Sequence, residues 1–92
     1  MERKVATYKN PWHSPRGHDP DIYTTDARPI EYRGFLLYNR IPGTVCDVVK
    51  NGCAVRQIVT VKGGQNAVDA ILDEPESFLG SISPNAKAIA GI

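Results

Sequence analysis

The chain has 92 residues, which is enough for one small domain, and its hydrophobic content of 41% is ordinary for a folded protein. No apolar run approaches the roughly 20 residues that cross a bilayer, and residues 1–5 are too polar to begin a signal peptide, so we expect a cytoplasmic protein without a membrane anchor. The net charge of +1 is far below that of most nucleic-acid-binding domains. The charges are nevertheless segregated, because residues 31–62 hold five Lys or Arg and two Asp or Glu, whereas residues 63–92 hold one and four.

Residues 1–29 are predicted to form an irregular arm. A proline disfavours helix in the residue before it, and four such pairs interrupt the segment: Asn10-Pro11, Ser14-Pro15, Asp19-Pro20 and Arg28-Pro29. Four side chains are expected to fasten the arm to a core: Tyr8, Trp12, Ile22 and Tyr23.

The arm also holds both histidines, His13 and His18, close to Asp19 and Asp21. Four candidate ligands within nine residues could suit a metal ion, but prolines lie between them and no recognised ligand spacing is reproduced. We therefore predict no bound metal and no other cofactor.

A predicted core occupies residues 30–73 and begins with a strand that ends at Pro42-Gly43. Its side chains are apolar on both sides of the strand, as in a strand that is covered on each face. The strand is rich in aromatic residues, and Tyr38 and Arg40 lie near its end.

The strongest local signal is Asn51-Gly52 between two runs of β-branched residues, which predicts a hairpin with a two-residue turn. The expected partners are Lys50 with Cys53, Val49 with Ala54, Val48 with Val55, Asp47 with Arg56, and Cys46 with Gln57. In this register the two cysteines share a face but lie on the order of 13 Å apart, which is too far for a disulfide. Two buried thiols fit a reducing compartment.

The same register assigns the two faces of the hairpin. A helix is expected to cover the side that carries Cys46, Val48, Cys53, Val55, Val59 and Val61. On the other side, Asp47 and Arg56 are predicted to form a cross-strand ion pair, which would help to set the register.

Gly63-Gly64 is expected to end the hairpin, and a short amphipathic helix is predicted over residues 65–73, where Val68, Ile71 and Leu72 form one apolar stripe. Residues 74–92 are predicted to be a partly ordered tail, with one turn of helix at residues 85–89. The sequence thus predicts an α+β fold: a three-stranded antiparallel β-meander with one short helix packed on one face, and an irregular N-terminal arm.

Tyr32-Arg33-Gly34 and the elements after it resemble the sheet-plus-helix DNA-binding domains of the ethylene-response-factor type and the arm-binding domains of phage-type integrases. The resemblance covers residues 32–72 and includes the turns at Pro42-Gly43 and Asn51-Gly52 and the helix with Ala67 and Ala70. It implies a topology, and by analogy a DNA-reading sheet face with Arg33, Arg40 and Arg56. The tryptophan that those families place in their strands is missing here. Small domains of this pattern also resemble phage or mobile-element products that bind a host macromolecule.

The residues indicate binding and not catalysis. The chain lacks a phosphate-binding loop, a nucleophile elbow and a Cys/His pair close in sequence, so we predict that it is not an enzyme. We expect a regulatory module that docks on a protein partner, with contacts from the aromatic and arginine side chains that commonly anchor interfaces: Trp12, Tyr23, Arg33, Tyr38, Arg40 and Arg56.

The alternative is nucleic-acid binding through Arg33, Arg40, Lys50, Arg56 and Lys62. It predicts a steep dependence of affinity on salt, because each neutralised phosphate releases counterions. The protein is expected to be a monomer, or a homodimer joined at an edge of its sheet.

Overall fold

The computed structural model describes residues 5–10 and 21–92. Within this part of the chain, a mixed sheet of six strands has the order β2-β1-β6-β5-β4-β3, and two helices accompany it. The elements are β1 Ala6–Asn10, β2 Asp21–Thr25, β3 Ile30–Tyr32, β4 Phe35–Ile41, β5 Val45–Lys50, β6 Cys53–Ile58, α1 Val61–Asp73 and α2 Pro84–Ala90. The prediction of a three-stranded meander with one helix is therefore wrong.

The predicted irregular arm contributes two of the strands. β1 pairs with β2 in antiparallel orientation and lies parallel to β6, with Lys9 opposite Cys53. Asn10, the last residue of β1, precedes Pro11, and a residue before proline favours the extended backbone that a strand requires. The prolines, which disfavour helix in the residues before them, are thus compatible with the short strands β1 and β2.

The hairpin of β5 and β6 forms at the predicted turn. Asn51 and Gly52 both have positive φ, at 51° and 74°, as the two-residue turn requires. Lys50 pairs with Cys53 and Val49 with Ala54, as predicted.

Beyond those two pairs the predicted register is wrong by one residue. A bulge leaves Val55 as an extra residue, so that Val48 pairs with Arg56 and Asp47 with Gln57. The slip moves Arg56 to the face of the sheet that carries the helices, where it contacts the segment after α1. The predicted ion pair of Asp47 with Arg56 is consequently not formed.

Helix α1 begins earlier than predicted, at Val61, and takes in both glycines of the Gly63-Gly64 pair. The Thr60 side chain caps it by accepting a hydrogen bond from the Gly63 amide at 3.0 Å. Gly64 is buried, and a Cβ there would lie 3.3 Å from the sulfur of Cys46, so this glycine allows α1 to pack closely on the sheet.

Helix α2 extends the single helical turn that the sequence predicts. Ser83 caps its first turn, Pro84 is its first residue, and Gly91 ends it with a left-handed backbone. The Asn51 side chain donates a hydrogen bond to the carbonyl of Ala90, which ties the end of α2 to the β5–β6 turn.

The apolar core lies between the sheet and both helices. As predicted, Cys46, Val48, Cys53 and Val55 face the helix side, whereas Val59 and Leu72 are exposed. Both cysteines are free and buried. A second, smaller cluster lies on the opposite face of the sheet, with Tyr8, Tyr38, Val49 and Ala54 as its buried members. In the described residues, no helix is long and apolar enough to span a bilayer.

Candidate functional site

Three tyrosines from three different strands meet on the face of the sheet opposite the helices. The rings of Tyr8 and Tyr38 are stacked with centroids 5.1 Å apart, and the Tyr23 ring lies edge-on to Tyr8 at 6.4 Å. Tyr8 and Tyr38 are buried and Tyr23 is half-buried. We call Tyr8, Tyr23 and Tyr38 the tyrosine cluster.

A buried carboxylate lies beside the tyrosine cluster. The side chain of Asp47 is fully buried, and its Oδ2 accepts hydrogen bonds from Arg40 Nε at 2.8 Å and from the Tyr8 hydroxyl. The Arg40 guanidinium also lies over the Tyr23 ring, 4.4 Å from its centroid. Asp47 Oδ1 has no hydrogen-bond partner among the described residues.

This arrangement holds the Tyr8 hydroxyl in its neutral form. Burial, followed by the hydrogen bond to Asp47, raises the pKa of Tyr8 far above its ordinary value. These contacts join β1, β4 and β5 on this face of the sheet, with the carboxylate enclosed and the arginine engaged.

Arg33 lies in a different place, at the turn between β3 and β4. Its guanidinium donates to Asp69 at 2.8 Å and to Asp73 at 2.9 Å, both on α1, and the Tyr32 hydroxyl donates to Asp69. The hydrogen bond from Arg33 holds the pKa of Asp73 below its ordinary value. The contact joins the β3–β4 turn to α1 at the protein surface.

Arg56 holds the segment that connects the two helices, which we call the Phe78 loop (residues 74–83). Its Nε donates to the carbonyl of Leu79 at 3.1 Å, its guanidinium also donates to the carbonyl of Phe78, and it lies 5.4 Å from the Phe78 ring centroid. The bulge in β6 makes this contact possible, because it turns Arg56 toward the helix side.

The Phe78 loop is ordered by its own hydrogen bonds. The amide of Ser77 donates to the carbonyl of Glu74 and the amide of Ser81 donates to that of Ser77, each at 2.9 Å. Gly80 is buried, its amide donates to the Ser77 hydroxyl at 3.1 Å, and a Cβ there would collide with the carbonyls of Glu74 and Ala70. The loop therefore has little freedom to move relative to α1.

This ordered loop presents the most exposed large apolar side chain of the described residues. Phe78 is 85% exposed, whereas the next, Val5 and Ile22, are 60% exposed. A shallow cleft lies between Phe78 and α1, and its lining includes Ala70 and Leu79 together with the acidic residues Asp69 and Glu74. A second cleft on the other side of Phe78 is lined by Arg56 and by residues that lead into α2.

The structure separates the predicted contact residues into three groups. Tyr23, Tyr38 and Arg40 meet in and beside the tyrosine cluster, Arg33 contacts α1, and Arg56 contacts the Phe78 loop. Trp12 lies outside the described residues, as do His13, His18 and Asp19. In the described part of the chain, no group of three His, Cys, Asp or Glu side chains is placed to hold a metal ion.

Neither Tyr8 nor Phe78 is among the predicted partner contacts, yet both prove central to these sites; the sequence predicts Tyr8 only as a side chain that fastens the arm to a core, and Tyr8 is indeed buried. Tyr8 completes the tyrosine cluster from β1, and Phe78 stands on the loop between the helices. The pair Phe78-Leu79 within a run of Glu, Pro, Ser and Gly is a signal that could have pointed to Phe78, because such a segment offers few other apolar residues to cover it.

Comparison with known proteins gives no match for this chain, whether to a protein-family model, to a curated protein or to a solved structure.

Proposed function

We propose that this protein is a non-catalytic binding module that docks on a protein partner through the Phe78 loop. The observation that carries the proposal is an 85% exposed phenylalanine on a loop held by Arg56 and by internal hydrogen bonds. Large aromatic side chains commonly supply the energetic centre of protein interfaces. A loop that is already ordered loses little conformational entropy on binding, so more of the contact energy contributes to affinity.

The charge distribution supports a protein partner over a nucleic acid. Three of the candidate cations are engaged within the molecule: Arg33 by two aspartates, Arg40 by buried Asp47, and Arg56 by two carbonyls. These arginines are also divided between the two faces of the sheet. They do not form the continuous basic stripe that follows a phosphate backbone.

A photo-crosslinking amino acid placed at position 78 tests this proposal. In a lysate of the cells from which the gene comes, we expect one discrete crosslinked protein. Excess protein without the crosslinker should prevent this crosslink, whereas an equal excess of a Phe78→Ser variant should not. The matched control carries the crosslinker at position 59, where the natural Val59 is an exposed apolar residue that lines neither of the clefts beside Phe78. Equal crosslinking from both positions, or none from position 78, would contradict the proposal.

The nucleic-acid alternative is tested by fluorescence anisotropy with labelled single- and double-stranded DNA and RNA over a salt titration. We expect no binding at physiological salt. Binding there, with a slope that falls in a Lys50→Gln variant or a Lys62→Gln variant, both of which leave the Asp47–Arg40 pair and the Arg56 contacts in place, would support the alternative instead.

A further inference from the structure

We infer that the partner supplies a basic segment containing an apolar side chain, and that this segment binds in the cleft between Phe78 and α1. The inference rests on the proposed docking function and specifies the chemistry of the partner. Two observations support it: the cleft has an apolar floor, and acidic residues outnumber basic ones at its border.

The apolar part of the cleft is formed by Ala70, Phe78 and Leu79. Ala70 is a small residue on α1, so the surface beside Phe78 is recessed and the ring stands out from it. An aliphatic or aromatic side chain of the partner that entered here would contact the ring and the helix together.

The charge at the border of the cleft is negative. Asp69 and Glu74 line it, and Asp73 and Glu76 are exposed nearby in sequence. Arg33 offsets part of this charge through its contacts with the two aspartates, and Arg56, beside the Phe78 ring, offsets another part, so four carboxylates stand against two guanidiniums. Residues 63–92 contain one basic side chain, Lys87, which lies on α2. An acidic partner would be repelled, whereas a Lys or Arg beside the apolar side chain would find a carboxylate within reach.

The test is selection from a random dodecapeptide library displayed on phage, with immobilised wild-type protein as bait and the Phe78→Ser variant used to remove peptides that bind elsewhere. We expect the surviving peptides to be enriched in Lys and Arg and to share an apolar or aromatic residue. A synthetic peptide of the most enriched sequence should lose at least about tenfold in affinity with Phe78→Ser. It should lose about threefold or more with the double variant Glu74→Gln, Glu76→Gln.

The control variant is Val59→Ser, which removes an exposed apolar side chain outside the cleft and should leave affinity unchanged. All the variants alter exposed side chains, and circular dichroism verifies that they fold. Phe78-dependent peptides without basic residues would overturn the inference about the partner and leave the docking function standing. A library without any Phe78-dependent peptide would overturn both.

Discussion

The buried Asp47–Arg40 pair predicts a large loss of stability on replacement of Arg40 by Leu. The Arg33→Leu variant is the matched comparison, because Arg33 also contacts an aspartate at 2.8 Å. The two pairs differ in burial: Asp47 is fully buried, whereas Asp69 and Asp73 are 41% and 58% exposed. Arg33 contacts two aspartates and Arg40 only one, so contact number alone would predict the larger loss for Arg33→Leu, whereas burial predicts the larger loss for Arg40→Leu.

The expected magnitudes follow from that difference. Removing Arg40 leaves the Asp47 carboxylate buried, with the Tyr8 hydroxyl as its remaining donor among the described residues. Loss of one partner from a buried ion pair costs about 3–5 kcal/mol, because the other charge is left without compensation. Loss of Arg33 leaves carboxylates that water can solvate, and an exposed pair contributes roughly 0–1 kcal/mol. We therefore expect the two losses to differ by at least about 2 kcal/mol.

Urea denaturation followed by circular dichroism measures both losses. A small domain has a free energy of unfolding of about 5–15 kcal/mol, so Arg40→Leu should remain folded at low urea if the wild type is near the middle of that range. If it does not fold, Arg40→Lys retains the charge but not the directed Nε hydrogen bond, and should show an intermediate loss. A cost for Arg40→Leu equal to or below that of Arg33→Leu would refute the assignment of Asp47 as a buried charge held by Arg40.

Three further outcomes are expected. The raised pKa of Tyr8 means that the stability linked to its neutral hydroxyl is fully present below about pH 10 and is lost as the pH rises above that value. The free energy of unfolding of the wild type should therefore fall above pH 10. In urea titrations, Tyr8→Phe should reduce the slope of that fall by up to about 1.4 kcal/mol per pH unit. Gly80→Ala should lower the free energy of unfolding, measured by urea denaturation, by about 1–3 kcal/mol, because the added Cβ would collide with backbone carbonyls. Gly43 has open space around it, so Gly43→Ala should lower that free energy by about 1 kcal/mol through the left-handed backbone alone. Burial raises the pKa of the Cys46 and Cys53 thiols, so neither should react with a thiol reagent at pH 8 until the protein unfolds; rapid reaction of the native protein would show that a cysteine is accessible.

The β5–β6 hairpin shows how far local sequence determines this fold. Asn51-Gly52 sets the turn and the first two residue pairs, because both turn residues accept positive φ. The bulge at Val55 has a weaker local signal, a break in the alternation of apolar residues. Gln57 is polar although it continues the alternation of Cys53 and Val55, whereas Ile58, one position later, packs against the helix-side core in the shifted register.

The extent of the sheet depends on contacts that sequence patterns do not reveal. β1 and β2 are each five residues long, and β1 lies parallel to a strand more than 40 residues later in the chain. Because no short turn connects these two strands, the sequence contains no turn motif from which their pairing could be predicted. Similarly, Gly63-Gly64 is a usual signal for the end of an element, but a glycine inside α1 is favourable here because Gly64 packs against Leu37 and Cys46.

The single-residue slip at Val55 connects the two sites. Without it, Arg56 would oppose Asp47 on the tyrosine face, and the Phe78 loop would lose the guanidinium that holds its two carbonyls. With the bulge present, Asp47 binds Arg40 and Tyr8 instead, and Arg56 contacts the Phe78 loop. The same bulge therefore accounts for a buried ion pair on one face and an immobilised, exposed Phe78 on the other. The exposure of Phe78 on an ordered loop therefore follows from the register of β6 against β5, although the sequence between Val55 and Phe78 contains no binding motif.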